Sequence, residues 1–253
     1  MSEGGRTTVI VEACVETVES AIAAERGGAG RLELCASLAD AGTTPSAGAI
    51  AAVKAAVRIP VFVIIRPRGG AFVYSDVEHD VMRRDIDAAR RLGADGVVFG
   101  VLCPDARVDE RRTRMLMECA AGLPVTFHRA FDRTPDQAAA LEALIACGVD
   151  RVLTSGGAAT AIEGVDELAA LVARSAGRIR VLAGGGIRAD HVQELVRRSG
   201  VDEIHVRGTR LARTAMTAGL ARARLRKPLP EDEDAWEETD EAQIRELRGR
   251  ANR

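Results

Sequence analysis

The stretch PVTFHRAFD, residues 124–132, begins as a buried strand and ends with His128 and Arg129 side by side. Short β-branched and aromatic runs bounded by turn residues read as strands buried on both faces. A titratable ring and a guanidinium do not belong in such an interior unless something satisfies them. The two halves are compatible if the strand stops at His128, on a surface where functional groups collect.

Seven further runs have the same character: VIVEAC from Val9, RLELC from Arg31, VFVIIR from Val61, GVVFG from Gly96, RVLTS from Arg151, RVLAGG from Arg180 and EIHVR from Glu203. Between them lie segments with 3.6-residue periodicity, such as TVESAIAAERGG and DVEHDVMRRDIDAARRLG. Asp76 is placed to cap the third helix, and Thr134 with Pro135 to open the fifth. Gly-Ala-Asp or Gly-Val-Asp precedes three strands, at residues 93–95, 148–150 and 200–202, where a helix has to stop and the chain turn back. Eight strand–helix units predict a (β/α)8 TIM barrel over residues 9–225. A disordered tail at 1–8 precedes it. A C-terminal extension, 226–253, follows as an acidic linker and a helix, begun by Asp240 and Gln243, that packs on the barrel or a partner subunit. Trp236 is a candidate anchor for that segment. A Rossmann-like sheet is the other reading, but AGGGIR at 183–188 lacks the GxGxxG spacing.

Composition removes several functions. Hydrophobic residues at 47% and charged residues at 28% of 253 fit a globular chain. A net charge of −2 and aromatics at 3% give neither an electrostatic footprint nor a stacking platform for nucleic acid. No apolar run is long enough for a membrane span, and MSEGGRTT has no secretory core, so the expected location is the cytoplasm. The 5 cysteines form no tight motif and are expected as reduced thiols, with no role for Cys103, Cys119 or Cys147. The lysines are Lys54 and Lys227, neither on a strand, which excludes Schiff-base chemistry at the barrel.

In this fold the C-terminal strand ends converge on one mouth. They carry Glu12 and Cys14, Glu33 and Cys35, Arg66 and Arg68, His128 and Arg129, Ser155, the glycines Gly184, Gly185 and Gly186, and His205 with Arg207. Period-2 alternation turns Leu32, Leu34, Ile204 and Val206 to the helices, and therefore Glu33, Cys35, His205 and Arg207 to the axis. Glu12 and Glu33, on adjacent strands about 5 Å apart, form a candidate acid–base pair with pKa values pushed apart, and His128 or His205 its partner. Arg66, Arg68, Arg129, Ser155 and the 184–186 glycines are candidates for holding a small anion. Cys14 and Cys35 share a face, and two thiolates there suit a soft ion such as Cu(I). A structural ion-pair network is the competing reading of the whole ring.

VEACVETVESAIAAERGGAGRLELC, AGTTPSAGAI, VFVIIRPRGGAFVYSD, LPVTFHRAFD, RVLTSGG and VLAGGGI together resemble the copper homeostasis proteins called CutC. The resemblance runs from about Val9 to the C-terminal helix. It implies a TIM barrel, a cytosolic setting and Cu(I) binding or trafficking through cysteines, here Cys14 and Cys35. The chain departs from the family pattern at Ala71, where an acidic residue often follows RPRGG, at Trp236, and at Val206-Arg207-Gly208-Thr209. Two functions stay open: copper homeostasis, and an isomerase or lyase acting on a small phosphorylated or carboxylated metabolite. A homodimer through the C-terminal segment is compatible with either.

Overall fold

Parallel pairing of the apolar runs closes a barrel in the order of the chain. Its strands are β1 (Ile10–Val15), β2 (Arg31–Leu34), β3 (Val61–Ile64), β4 (Gly96–Phe99), β5 (Val125–Phe127), β6 (Arg151–Thr154), β7 (Arg180–Gly184) and β8 (Glu203–Val206), and β8 pairs with β1. The computed structural model describes residues 8–213 and 234–253. Between the strands run α1 (Val18–Gly27), α2 (Ala47–Ala56), α3 (Asp76–Arg91), α4 (Glu110–Ala120), α5 (Gln137–Ala146), α6 (Val165–Ser175) and α7 (Val192–Ser199). The architecture is the (β/α)8 TIM barrel that the periodicity predicts, with a C-terminal extension. The tail at 1–7, the expected barrel end at 225 and the acidic linker from 226 to 233 lie outside the described residues.

Helix and strand starts follow local hydrogen bonding. Ser75, one residue before the expected Asp76, caps α3 in a reciprocal box with Glu78. Asp136 rather than Thr134 caps α5. The Gly-x-Asp turns do two jobs: Gly93 and Gly148 take left-handed backbone (φ 85° and 78°), and the aspartates that follow accept from the next-door strands. Asp95 accepts the Val61 amide and Asp150 the Val125 amide, both at 2.8 Å.

Beyond β8, a two-stranded antiparallel sheet forms from β9 (Thr209–Arg213) and β10 (Ala235–Thr239), followed by α8 (Glu241–Ala251). Helix α8 packs against both α1 and α7 and so completes the helical ring. Its Ile244, Leu247 and Ala251 are buried. A Cβ at Gly27 would lie 2.7 Å from that of Ile244, so the α1–α8 contact needs a glycine. Asn252 ties the chain's ends together, its Oδ1 accepting the Val9 amide at 2.8 Å. Asp240 caps α8 through the Ala242 amide, while Gln243 donates to the Thr209 carbonyl instead of closing a capping box. Trp236 is 44% exposed on β10, so the aliphatic residues of α8, and not the tryptophan, seat this segment.

Alternation sorts the strand residues into two environments. Outward side chains such as Val11, Ala13, Leu32, Leu34, Val63 and Ile204 pack with the helices in the main core. Inside the barrel, Cys14, Cys35, Phe62, Ile64 and Val98 form a small apolar cluster, and beside it lie the buried charged groups Glu12, Arg31, Glu33, Arg151 and Glu203. Phe62 fills so much of the lumen that a Cβ on Gly96 would sit 2.6 Å from its ring.

Ile244→Ala should cost about 2–5 kcal/mol, the usual range for emptying a fully buried aliphatic site. Urea denaturation reads this as a lowered midpoint, and an unchanged midpoint would show that α8 is not part of the cooperative unit.

Candidate functional site

The barrel register sets the floor of the mouth. Glu12 is level with Arg31 on β2 and with His205 on β8, and Cys14 is level with Glu33. Arg31 bonds Glu12 through Nε and Glu203 through Nη2, the latter at 2.6 Å, and Arg151 bonds Glu203 in turn. The Arg31 and Arg151 guanidiniums lie 5.1 Å and 5.4 Å from the centroid of the Phe62 ring. Four charged groups are thereby buried below the strand ends.

Above them sits the sulfur layer. His205 Nδ1 is 2.8 Å from Glu12 Oε1, and its Nε2 is 3.7 Å from Glu33 Oε2. The Cys14 and Cys35 Sγ atoms are 3.6 Å apart, and the Cys35 thiol donates to Glu33 at 3.5 Å. Burial opposes ionisation of Glu12, but the Arg31 charge and the His205 hydrogen bond outweigh it and hold the carboxyl at about 2. Burial and the neighbouring Cys14 sulfur push Glu33 the other way, to about 8. The Cys35 hydrogen bond, working against burial, draws Cys14 down to about 5, and Cys35 itself is raised. His205 is raised well above its ordinary value because Glu33, Cys14 and Glu12 together outweigh its burial. These shifts favour a thiolate at Cys14, an imidazolium at His205 and a carboxylate at Glu12 at neutral pH, with the proton kept on Glu33.

A cavity of about 430 Å³ opens over this layer. Its wall is apolar at Leu38, Ile64, Phe72, Leu153 and Ile187 and polar at Arg66, His128, Arg129 and the Gly185–Gly186 backbone. The structure thus brings together Glu12, Glu33, His205, Cys14 and Cys35 at the floor and Arg66, His128 and Arg129 at the rim. Ser155 stands behind Arg129, accepting from its Nη2 at 2.8 Å. Gly184 does not border the cavity: its role is close packing, since a Cβ there would be 2.5 Å from Leu153. Arg68 is not brought to the mouth. It bonds Glu78 and the carbonyls of Gly69, Ala71 and Val73 and lies 5.0 Å from the Tyr74 ring centroid, so its charge is spent on its own loop. Arg207, expected on the axis, stands exposed beyond the last ladder pair, where it borders the cavity at the rim and binds Glu237 at 2.7 Å. A larger hollow, about 540 Å³, lies by α7 and α8 around Val9, Arg197 and Asn252, away from these groups.

Four residues that strand-end reasoning passes over matter here. Arg31, Arg151 and Glu203 begin their strands and so lie one layer deeper; the signal was present, because Arg31 shares a face with Glu33 and Cys35 by period 2. Asp132 gathers the rim, accepting from Thr154, the Ser155 amide and hydroxyl, the Gly157 amide and Arg129 Nε. Its approach depends on the 3-10 turn Arg129–Arg133, which carries no local sequence marker.

With this geometry in view, comparison with known proteins is specific. Residues 9–210 match the family described as the CutC family. A human relative named "Copper homeostasis protein cutC homolog" is 50% identical over 202 residues, 80% of this chain and 74% of that protein. A "family protein CutC" of Xanthomonas axonopodis pv. citri is 42% identical over 240 residues, 94% of this chain and 96% of the relative. A CutC crystal structure from Streptococcus agalactiae superposes with TM-score 0.75 at 36% identity, over 78% of this chain and 97% of that one. Thiamine phosphate pyrophosphorylase from Pyrococcus furiosus, TM-score 0.59 at 18% identity over 97% of this chain and 96% of that one, shares the fold alone.

The folded value of Glu33, about 8, exceeds its ordinary 4.5. Its contribution to stability is therefore complete below about pH 4.5 and lost as pH rises through 8. Glu33→Gln removes this slope, so unfolding free energies of parent and variant should diverge between those limits in the variant's favour. Parallel curves would show that Glu33 ionises as an ordinary carboxyl.

Proposed function

The chain belongs to the CutC family, and on that premise we propose that it serves copper homeostasis by binding Cu(I) as cargo between Cys14 and Cys35. The observation that carries this reading is the sulfur pair, 3.6 Å apart at the base of an open cavity. Cys14, Glu33 and Cys35 each offer one ligand atom within 4.8 Å of the others. Soft thiolates suit Cu(I), and a Cys14 thiol drawn down to about 5 is already in the ligating form at neutral pH. The two sulfurs are close enough for one soft ion to meet both after a small adjustment of the side chains. The proposed setting is the cytoplasm, where thiols stay reduced; no helix among the described residues is long and apolar enough to cross a membrane.

A second reading draws support from the size of the cavity. About 430 Å³ far exceeds what one ion needs and suits a small metabolite. In that reading the protein is an isomerase or lyase for a small phosphorylated or carboxylated molecule. Protonated Glu33, beside His205 at the cavity base, is the acid of the pair, ionised Glu12 holds His205 from below, and Arg66 and Arg129 meet the anion. For the homodimer proposed through the C-terminal segment, Leu211 and Trp236, 62% and 44% exposed, lie on opposite faces of the β9–β10 pair, so a partner would cover one of them and not both.

Anaerobic titration against a chromophoric Cu(I) chelator tests the copper reading. The parent chain should withdraw one ion per chain from the chelator, and Cys14→Ser and Cys35→Ser should each abolish that stoichiometric complex. Equal uptake by parent and both variants would remove the assignment.

A further inference from the structure

His128 takes no part in the floor network, yet it is 5% exposed and borders the cavity. Its Nδ1 accepts the Ala130 amide at 3.2 Å, which places the ring proton on Nε2. Burial, reinforced by the Arg66 charge, holds the ring down at about 3, so it is neutral at physiological pH. The Nδ1–Cε1 edge abuts Gly100, where a Cβ would come within 2.5 Å of both atoms. The Nε2–H group is itself buried and has no acceptor among the described residues, although His128 as a residue lines the cavity. A buried donor without an acceptor costs about 1–3 kcal/mol, a cost a ligand oxygen removes.

Arg66 shows the complementary deficit. It is 4% exposed and borders the same cavity. Its guanidinium meets the carbonyls of Asp40, Gly42 and Gly70, at 2.7, 2.7 and 3.1 Å, and neighbours the Tyr74 hydroxyl. Among the described residues no carboxylate offsets its charge. Both side chains pack on Phe72, the His128 ring 4.9 Å and the Arg66 guanidinium 5.1 Å from its centroid. A neutral donor lacking an acceptor and a buried cation lacking a counter-ion call for the same group, an oxyanion.

We infer that the mouth binds a small organic oxyanion whose oxygen accepts from His128 Nε2–H in the field of Arg66. Arg129 and the Gly185–Gly186 backbone face the remainder of the molecule. This deepens the second reading above, that the cavity takes a small anionic molecule, and it recasts His128 as a fixed donor in place of an acid–base group. Carboxylates and phosphate monoesters share the required chemistry.

The test uses the full chain carrying isotope-labelled histidine, with pyruvate and β-glycerophosphate as probes followed by NMR and calorimetry. At least one probe should bind saturably and shift the His128 Nε2–H signal, and whichever does so identifies the class. His128→Leu should weaken that probe by about tenfold or more, as expected for a lost hydrogen bond to a charged group. His128→Gln, which keeps an N–H near the same place, should restore most of the affinity. Should the leucine variant misfold, the parent signal and the glutamine variant decide. A probe that binds without moving the His128 signal, or that binds His128→Leu as well as the parent, overturns the inference and leaves the anion reading standing. Failure of both probes to bind the parent overturns both.

Discussion

A carboxylate at position 12, 1% exposed inside a barrel, is tolerable only because cations reach it from two sides. Arg31 approaches from the next strand and His205 from the strand that closes the barrel. The parallel register makes both contacts unavoidable once β1 pairs with β2 and β8, so closure of the barrel and neutralisation of its lumen are one event. Arg31, Arg151 and His205 balance Glu12, Glu203 and the Cys14 thiolate, while Glu33 retains its proton. Each pKa displacement at the floor follows from this balance. Glu12 and Glu33 face similar burial and shift in opposite directions because Arg31 lies beside only one of them.

Much of this was legible in the sequence, for a simple reason. Strand residues alternate, and runs such as RLELC and EIHVR place apolar side chains at every second position, so the remaining ones had to meet at the axis. Alternation alone brings Glu12, Glu33, Cys14, Cys35 and His205 together. It applies equally to Arg31, Arg151 and Glu203, but attention to strand ends hid the layer beneath. Charged residues at the inward positions of strand starts, Arg31, Arg151 and Glu203, are the counter-ions and partners that buried charges at the strand ends require.

The loops were less legible, because alternation stops where the ladder stops. Arg68 stands close to a strand end in sequence yet is captured by Glu78, while Arg207 reaches the rim only in the loop, paired there with Glu237. Arg129 reaches the rim because Asp132, three residues on, turns its Nε away and leaves the other side of the guanidinium against the backbone at Gly185. C-terminal packing was hidden for another reason. The apolar residues of α8 are few, and their partner surface includes Gly27 and Gly208, whose contribution is the side chain they lack.

Floor and rim differ in charge, and the difference bears on what each can bind. The floor is balanced and offers polarisable sulfur, which suits a soft ion that forms strong bonds to thiolates and needs little long-range attraction. At the rim, Arg129 is paired with Asp132 and Arg207 with Glu237, but Arg66 meets carbonyls and the Phe72 ring and no carboxylate among the described residues, so a net positive field faces whatever enters. A bare cation approaches that field at a disadvantage, and an organic anion gains from it. Copper carried inward within an anionic thiolate complex would escape the penalty, exchanging ligands at Cys14 while its carrier faces the arginine. The same positive rim can therefore serve either chemistry, provided that what crosses it is negatively charged.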